Sequence, residues 1–257
     1  MHYTFGGYMA DAPSSSQTVG QINNIVIDSW RLFWSLKLRA VICAIALLVT
    51  FLVMMLPIFL PVFKNIVMMI MYLILVFLIP SFVWGDYLLR IYHLYNAGKV
   101  ISKNDLHIFM VARLLHLYPA FLFVFGFTEM IYLLINVFPL VCFVGYAAVL
   151  PTLAYAVMGD HIIKALKRGF DIFWRNPLVV LCVLVLPFFI MLAPMVILLN
   201  LDLPHLSHIL GYALYVFALL WMGFIIPWNF AVTLVLQKNF DPEAVTDYLA
   251  KNVIDDN

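Results

Sequence analysis

Residues 40–63 read AVICAIALLVTFLVMMLPIFLPVF, 24 residues without a charge. A helix needs about 20 apolar residues to cross the hydrocarbon core of a bilayer, so this run is long enough to span one. Further uncharged runs occupy 65–85, 114–128, 130–159, 176–201 and 203–237. Glu129 alone divides the second and third of these, and Asn136 with Pro139 supplies a turn within that tract. The expectation is an all-α polytopic bundle of six transmembrane helices, at about 40–63, 65–85, 117–136, 139–158, 177–200 and 208–236. A polar N-terminal tail (1–19) precedes the membrane domain (20–240), and an acidic cytoplasmic tail (241–257) follows it.

Composition agrees. Apolar residues make up 66% of the chain and charged ones 11%, with a mean hydropathy of +1.06. Soluble domains run at about 45–50% apolar and about 25% charged, so lipid is expected to be the solvent for much of the surface. A net charge of +1, with no basic stripe, excludes nucleic acid as a partner. Cys43, Cys142 and Cys182 fall in apolar runs without metal-ligand spacing. Residues 1–38 are polar or amphipathic and the first apolar run exceeds a signal-peptide core, so that run is expected to remain as a helix.

Lys and Arg accumulate in cytoplasmic loops. Of the 14 basic residues only Lys64 falls on the outer side of the predicted spans. Both termini are therefore placed inside. Trp30, Trp34, Trp84, Trp174 and Trp228 lie near the inner interface, where amphipathic rings prefer to sit, and Trp221 lies deeper.

The chain divides into three units, about 20–85, 86–158 and 159–240, each a cytoplasmic interfacial helix followed by a two-span hairpin. Two echoes accompany this division. Ser29-Trp30-Arg31-Leu32-Phe33-Trp34 matches Gly169-Phe170-Asp171-Ile172-Phe173-Trp174, and Gly85-Asp86-Tyr87-Leu88-Leu89-Arg90 matches Gly159-Asp160-His161-Ile162-Ile163-Lys164. Duplication and convergence of similar interfaces both account for them. In the helix expected at 160–176, Ile163, Leu166, Phe170, Phe173 and Trp174 share one face. Lys164, Lys167, Arg168 and Arg175 share the other and are candidates for anionic phospholipid headgroups.

Glu129 is the one formal charge deep in a predicted span, and Gly126, Tyr132 and Asn136 continue its face. An acid there is protonated, paired or beside water. It serves either as a proton-relay or substrate-contacting carboxyl, or as a neutral hydrogen-bonded brace. Asp202, His205 and His208 form a weak metal candidate on the outer side; the alternative is a solvated loop. Asp86 and Asp160 are expected to end spans and to cap helices or pair with nearby bases. Pro151, Pro187, Pro194 and Pro227 are expected to interrupt the fourth, fifth and sixth spans. The acidic tail, with Asp241, Glu243, Asp247, Asp255 and Asp256, is expected to form a short helix and then fray. The chain holds no P-loop, HExxH, GxSxG or CxxC motif, and no cofactor is expected.

Three interfacial segments carry a resemblance: Ser29-Trp30-Arg31-Leu32-Phe33, the Gly85–Gly98 boundary leading to Asp105-Leu106, and Ile163-Lys164-Ala165-Leu166-Lys167-Arg168-Gly169-Phe170 with Arg175-Asn176. Over roughly 25–240 the chain resembles six-span bacterial inner-membrane proteins of unknown function, related to the membrane domain of glycerophosphodiester phosphodiesterases. The resemblance implies the fold and an inner-membrane address, and supplies no active-site residues. The functional expectation is a non-enzymatic membrane protein in envelope maintenance or assembly, or a subunit of a membrane complex or homo-oligomer. The alternative is a small transporter using Glu129.

Overall fold

The computed structural model describes residues 15–59, 66–98, 113, 115–124, 139–200 and 208–252, and these are all-helical. In order they are α1 (Ser15–Ser35), α2 (Lys37–Phe59), α3 (Ile66–Ala97), α4 (Leu115–Val124), α5 (Pro139–Val149), α6 (Thr152–Val157), α7 (Ile162–Arg175), α8 (Pro177–Asn200), α9 (His208–Gly223), α10 (Ile225–Phe240) and α11 (Pro242–Asn252). Among the described residues no single helix is long and apolar enough to cross a membrane. Two bent pairs are: Thr18–Ser35 with Lys37–Thr50, at 90°, and Ile162–Arg175 with Pro177–Pro187, at 105°.

Those two bends share one construction, 140 residues apart. The breaks fall at Leu36 and Asn176, each followed immediately by an apolar helix. At the second, Pro177 disfavours a helical Asn176 and sits at the first helical position, where its missing N–H is not needed. In both, the carbonyl at the break accepts the amide four residues on: Ala40 N–H to Leu36 at 3.0 Å, and Val180 N–H to Asn176 at 3.1 Å. Burial follows the same register. Positions 25, 29, 32, 33, 40, 43 and 44 are buried, and so are 165, 169, 172, 173, 180, 183 and 184. Residues 23, 24, 27 and 31 are exposed, as are 163, 164, 167 and 171.

Packing between elements extends this equivalence. Hairpins form from α2 with α3 and from α8 with α9. Helix α1 lies along α10, while α7 lies along α6. The echo pairing Asp86 with Asp160 does not share a structural context: Asp86 lies inside α3, which runs on to Ala97, whereas Asp160 sits in the turn before α7. Asp86 therefore does not end a helix.

Prolines act in two ways. Pro151 lies in the turn between α5 and α6, and Pro227 lies in the first turn of α10 just after the break at Phe224, so the fourth and sixth apolar tracts are divided there. Pro187 and Pro194, expected as interruptions, lie inside α8, which continues through both, as α3 does through Pro80. An internal proline frees one carbonyl and bends a helix without ending it when neighbouring groups satisfy that carbonyl.

The core gathers around α10, whose residues from Ile226 to Gln237 are all buried. Against it, α1 contributes a ring cluster in which Trp30 and Trp228 lie 4.8 Å apart and Phe33 and Trp34 4.7 Å apart. Outward, large apolar side chains are open: Leu38, Val41, Ile42, Ile45 and Val49 on α2, Phe189, Ile190, Val196 and Ile197 on α8, Val216 and Phe217 on α9. Soluble monomers rarely leave contiguous apolar surface of this kind uncovered. The helix α7 has three faces instead of the expected two. Ala165, Gly169, Ile172 and Phe173 are buried in protein, Ile163, Phe170 and Trp174 face outward, and the bases occupy the third side.

Candidate functional site

Polar side chains concentrate where α3, α6, α7, α10 and α11 meet. Asp86 receives Arg39 from α2 and, one turn along its own helix, Arg90 at 2.9 Å. Asp160 receives Lys164 at 2.7 Å and Arg168 at 3.0 Å. The Arg168 guanidinium also lies 5.5 Å from the centre of the Tyr155 ring. The Tyr155 hydroxyl donates to Asp241 at 2.7 Å, and Asp241 accepts the Ala244 amide at 3.4 Å, capping α11. Arg113 donates to the Met158 carbonyl at 2.6 Å and lies 5.4 Å from the Tyr248 ring centre. Gly159, at φ +91°, is required here by its backbone conformation, and a Cβ would also displace the Arg113 guanidinium that lies against it.

A second constellation runs up the buried α10. Asn229, Thr233 and Gln237 are four residues apart and share one face. Asn229 donates to the Tyr146 hydroxyl at 2.6 Å, Thr233 to the Phe230 carbonyl at 2.8 Å, and Gln237 to the Ala154 carbonyl at 3.4 Å. Among the described residues the amide oxygens of Asn229 and Gln237 have no hydrogen-bond partner. The i, i+4 spacing of this row is legible in the sequence, although none of its three residues carries a formal charge.

The candidates from sequence fall as follows. Lys164 and Arg168 are committed to Asp160, and Arg175 donates to the Phe240 carbonyl at 2.8 Å. Lys167 is exposed and makes no ion pair among the described residues. Glu129, Tyr132, Asn136, Asp202, His205, Asp255 and Asp256 lie outside the described residues, and His208 opens α9 with its side chain undescribed. Asp86 and Asp160 do pair with nearby bases, as expected. Among the described residues no group of three or more His, Cys, Asp or Glu could hold a metal ion. A polar cavity of about 170 Å³ lies between α7 and α11, lined by Asp160, Lys164, Arg168, Asp247 and Tyr248 among others. Its two bases and two acids balance, so it presents no field for one sign of ligand. Comparison with known proteins yields no match. No family model, curated protein or solved structure is similar to the chain. The resemblance to the six-span group therefore rests on the interfacial motifs alone.

His93 sits in this polar region, beyond the predicted span of 65–85, and is buried. Burial first, then the Arg113 charge, lowers its pKa from 6.5 to about 4. A proton thus binds the unfolded chain more readily than the folded one. Its contribution to stability is complete above about pH 6.5 and is lost as pH falls toward about 4, on the order of 2 kcal/mol by pH 4.5. The melting point of the wild-type chain in detergent should therefore fall between pH 7 and pH 4.5 more steeply than that of His93→Asn. Parallel curves would remove His93 from the acid response.

Proposed function

We propose that the chain is a six-span, non-catalytic protein of a bacterial inner membrane, with both termini cytoplasmic. Its role is envelope maintenance or assembly, or service as a subunit of a membrane complex. The observation that carries the reading is α10, buried on every side from Ile226 to Gln237. A helix filling the middle of the cytoplasmic half occupies the position that an axial pathway would need. The outward apolar residues of α2, α8 and α9 support lipid as the surrounding phase, and the two bent pairs support interfacial helices that turn into spans. The polar clasps hold helices to one another, which suits a scaffold.

A permease is the second reading, favoured by the orphan amide oxygens of Asn229 and Gln237 and by Glu129 in its predicted span. The two separate in a complementation experiment. Deleting the chain should sensitise cells to detergents and bulky antibiotics, and wild type and Glu129→Gln should restore resistance equally. A Glu129→Gln protein that accumulates normally yet fails to restore resistance would overturn the scaffold reading in favour of transport.

A further inference from the structure

A groove of about 390 Å³ separates the interfacial helix α1 from the bundle. Its walls are Val26, Ile27 and Trp30 of α1, Ile190 of α8 and Trp228 of α10, with Arg31 as its charged member. Ile190 belongs to the outward apolar surface that continues through Phe189 and Ile197 of α8, so the groove opens onto the face assigned to lipid. The Arg31 side chain is 77% exposed, which puts its guanidinium at the mouth. Its contact to Asp28, at 4.0 Å between two exposed side chains, is a weak one, and most of its five N–H donors are left for another acceptor.

We propose that this groove seats one acyl chain of a phospholipid whose phosphate is held by Arg31. The proposal rests on the membrane reading above. An apolar floor ending in a single cation, with two tryptophans along its length, has the polarity of a lipid at the boundary of headgroup and chain. The related helix bears on selectivity. At the registers of Asp28 and Arg31, α7 carries Arg168 and Asp171, and Arg168 is paired with Asp160 at 3.0 Å, so a lipid in the corresponding place would meet the Asp171 carboxylate. The bound lipid is then a feature of the first unit alone, and it wedges α1 against α8 and α10.

The test uses the full chain, labelled with 5-fluorotryptophan, in phosphatidylcholine nanodiscs doped stepwise with phosphatidylglycerol bearing a nitroxide on its chain. Each fluorine resonance is assigned by a single Trp→Phe substitution. Trp30 and Trp228 should broaden at the lowest doping, whereas Trp174, 71% exposed on α7, should broaden only in proportion to the bulk lipid. Ile190→Phe, which fills the groove from the lipid side, should abolish the early broadening. Arg31→Gln should raise the labelled lipid required about five-fold, the effect of one basic residue at a membrane surface. Should Trp30 and Trp228 broaden no sooner than Trp174, the groove holds no lipid and the membrane reading stands. A Trp174 signal untouched at every doping would remove both.

Discussion

Replacing Gly169 by alanine should lower stability by about 1–3 kcal/mol, and replacing it by leucine should prevent folded protein from accumulating. A Cβ at this position would lie 2.9 Å from the Thr152 amide nitrogen and 3.2 Å from its Cα. Both are backbone atoms of the helix beneath, so no side-chain rotation relieves the clash and α7 must lift from α6. Small residues serve this purpose in membrane bundles, where close backbone approach substitutes for a hydrophobic driving force between helices. Gly223 repeats the device at the α9–α2 crossing, with a hypothetical Cβ 2.9 Å from the Ala44 carbonyl oxygen. At the position equivalent to Gly169, Ser29 is also buried, and its hydroxyl accepts the Trp228 indole N–H at 3.3 Å. Gly20 supplies the control. It is exposed in α1 with nothing within 4 Å of its Cβ direction, so Gly20→Ala should stabilise by about 0.5–1 kcal/mol through helix propensity alone. Thermal melts of wild type, Gly169→Ala and Gly20→Ala in one detergent decide the matter; a Gly169→Ala protein as stable as Gly20→Ala would show that the crossing is looser than described.

Much of this architecture is carried by patterns local to the chain. Uncharged runs and the bases between them locate helices and interfaces, and the i, i+4 spacing of Asp86 with Arg90 and of Asp160 with Lys164 announces those pairs before any packing is known. The 140-residue echo was legible as six residues, and its reach through both bends becomes visible only in the burial of residues 22–44 against 162–184. Convergence at a shared interface explains aromatic and basic composition. The breaks at Leu36 and Asn176 also share a register of buried positions on both sides. What sequence did not convey depends on distant partners. Spacing marks Leu166, Phe170 and Trp174 of α7 as apolar, but whether each meets protein or the surrounding phase is set by where α6 and α10 lie. Likewise Asn229 and Gln237 find Tyr146 and Ala154, each 83 residues away in the chain.

Asp86 is the second position where one substitution should have a large effect. It accepts from Arg90, whose side chain is 7% exposed, and from Arg39, at 34%, while its own carboxylate is 20% exposed. Removing the acid leaves a guanidinium buried between α2 and α3 with its principal counter-charge gone, a change that costs about 3–5 kcal/mol when pairs are buried. By contrast Asp160 pairs with Lys164 and Arg168 at 59% and 35% exposure, where solvent screens the attraction and the same deletion is worth about 1 kcal/mol or less. The expected order of melting points in detergent is wild type, then Asp160→Ala slightly below, then Asp86→Ala far below. The origin of the loss is separable from its size. If the damage comes from stranding a buried charge, Asp86→Ala with Arg90→Met should melt well above Asp86→Ala alone, since two apolar groups in place of a buried pair are close to neutral. If Arg90 instead matters through its remaining contacts, the double variant should be worse than either single one. The clasp joins the start of α2 to the C-terminal half of α3, so its loss should also loosen the α2–α3 hairpin at that end, read as faster amide exchange around Arg39 and Arg90 with the α7–α8 bend unaffected. Exchange that rises equally at both bends would instead mean that Asp86 supports the whole bundle and not the first hairpin alone.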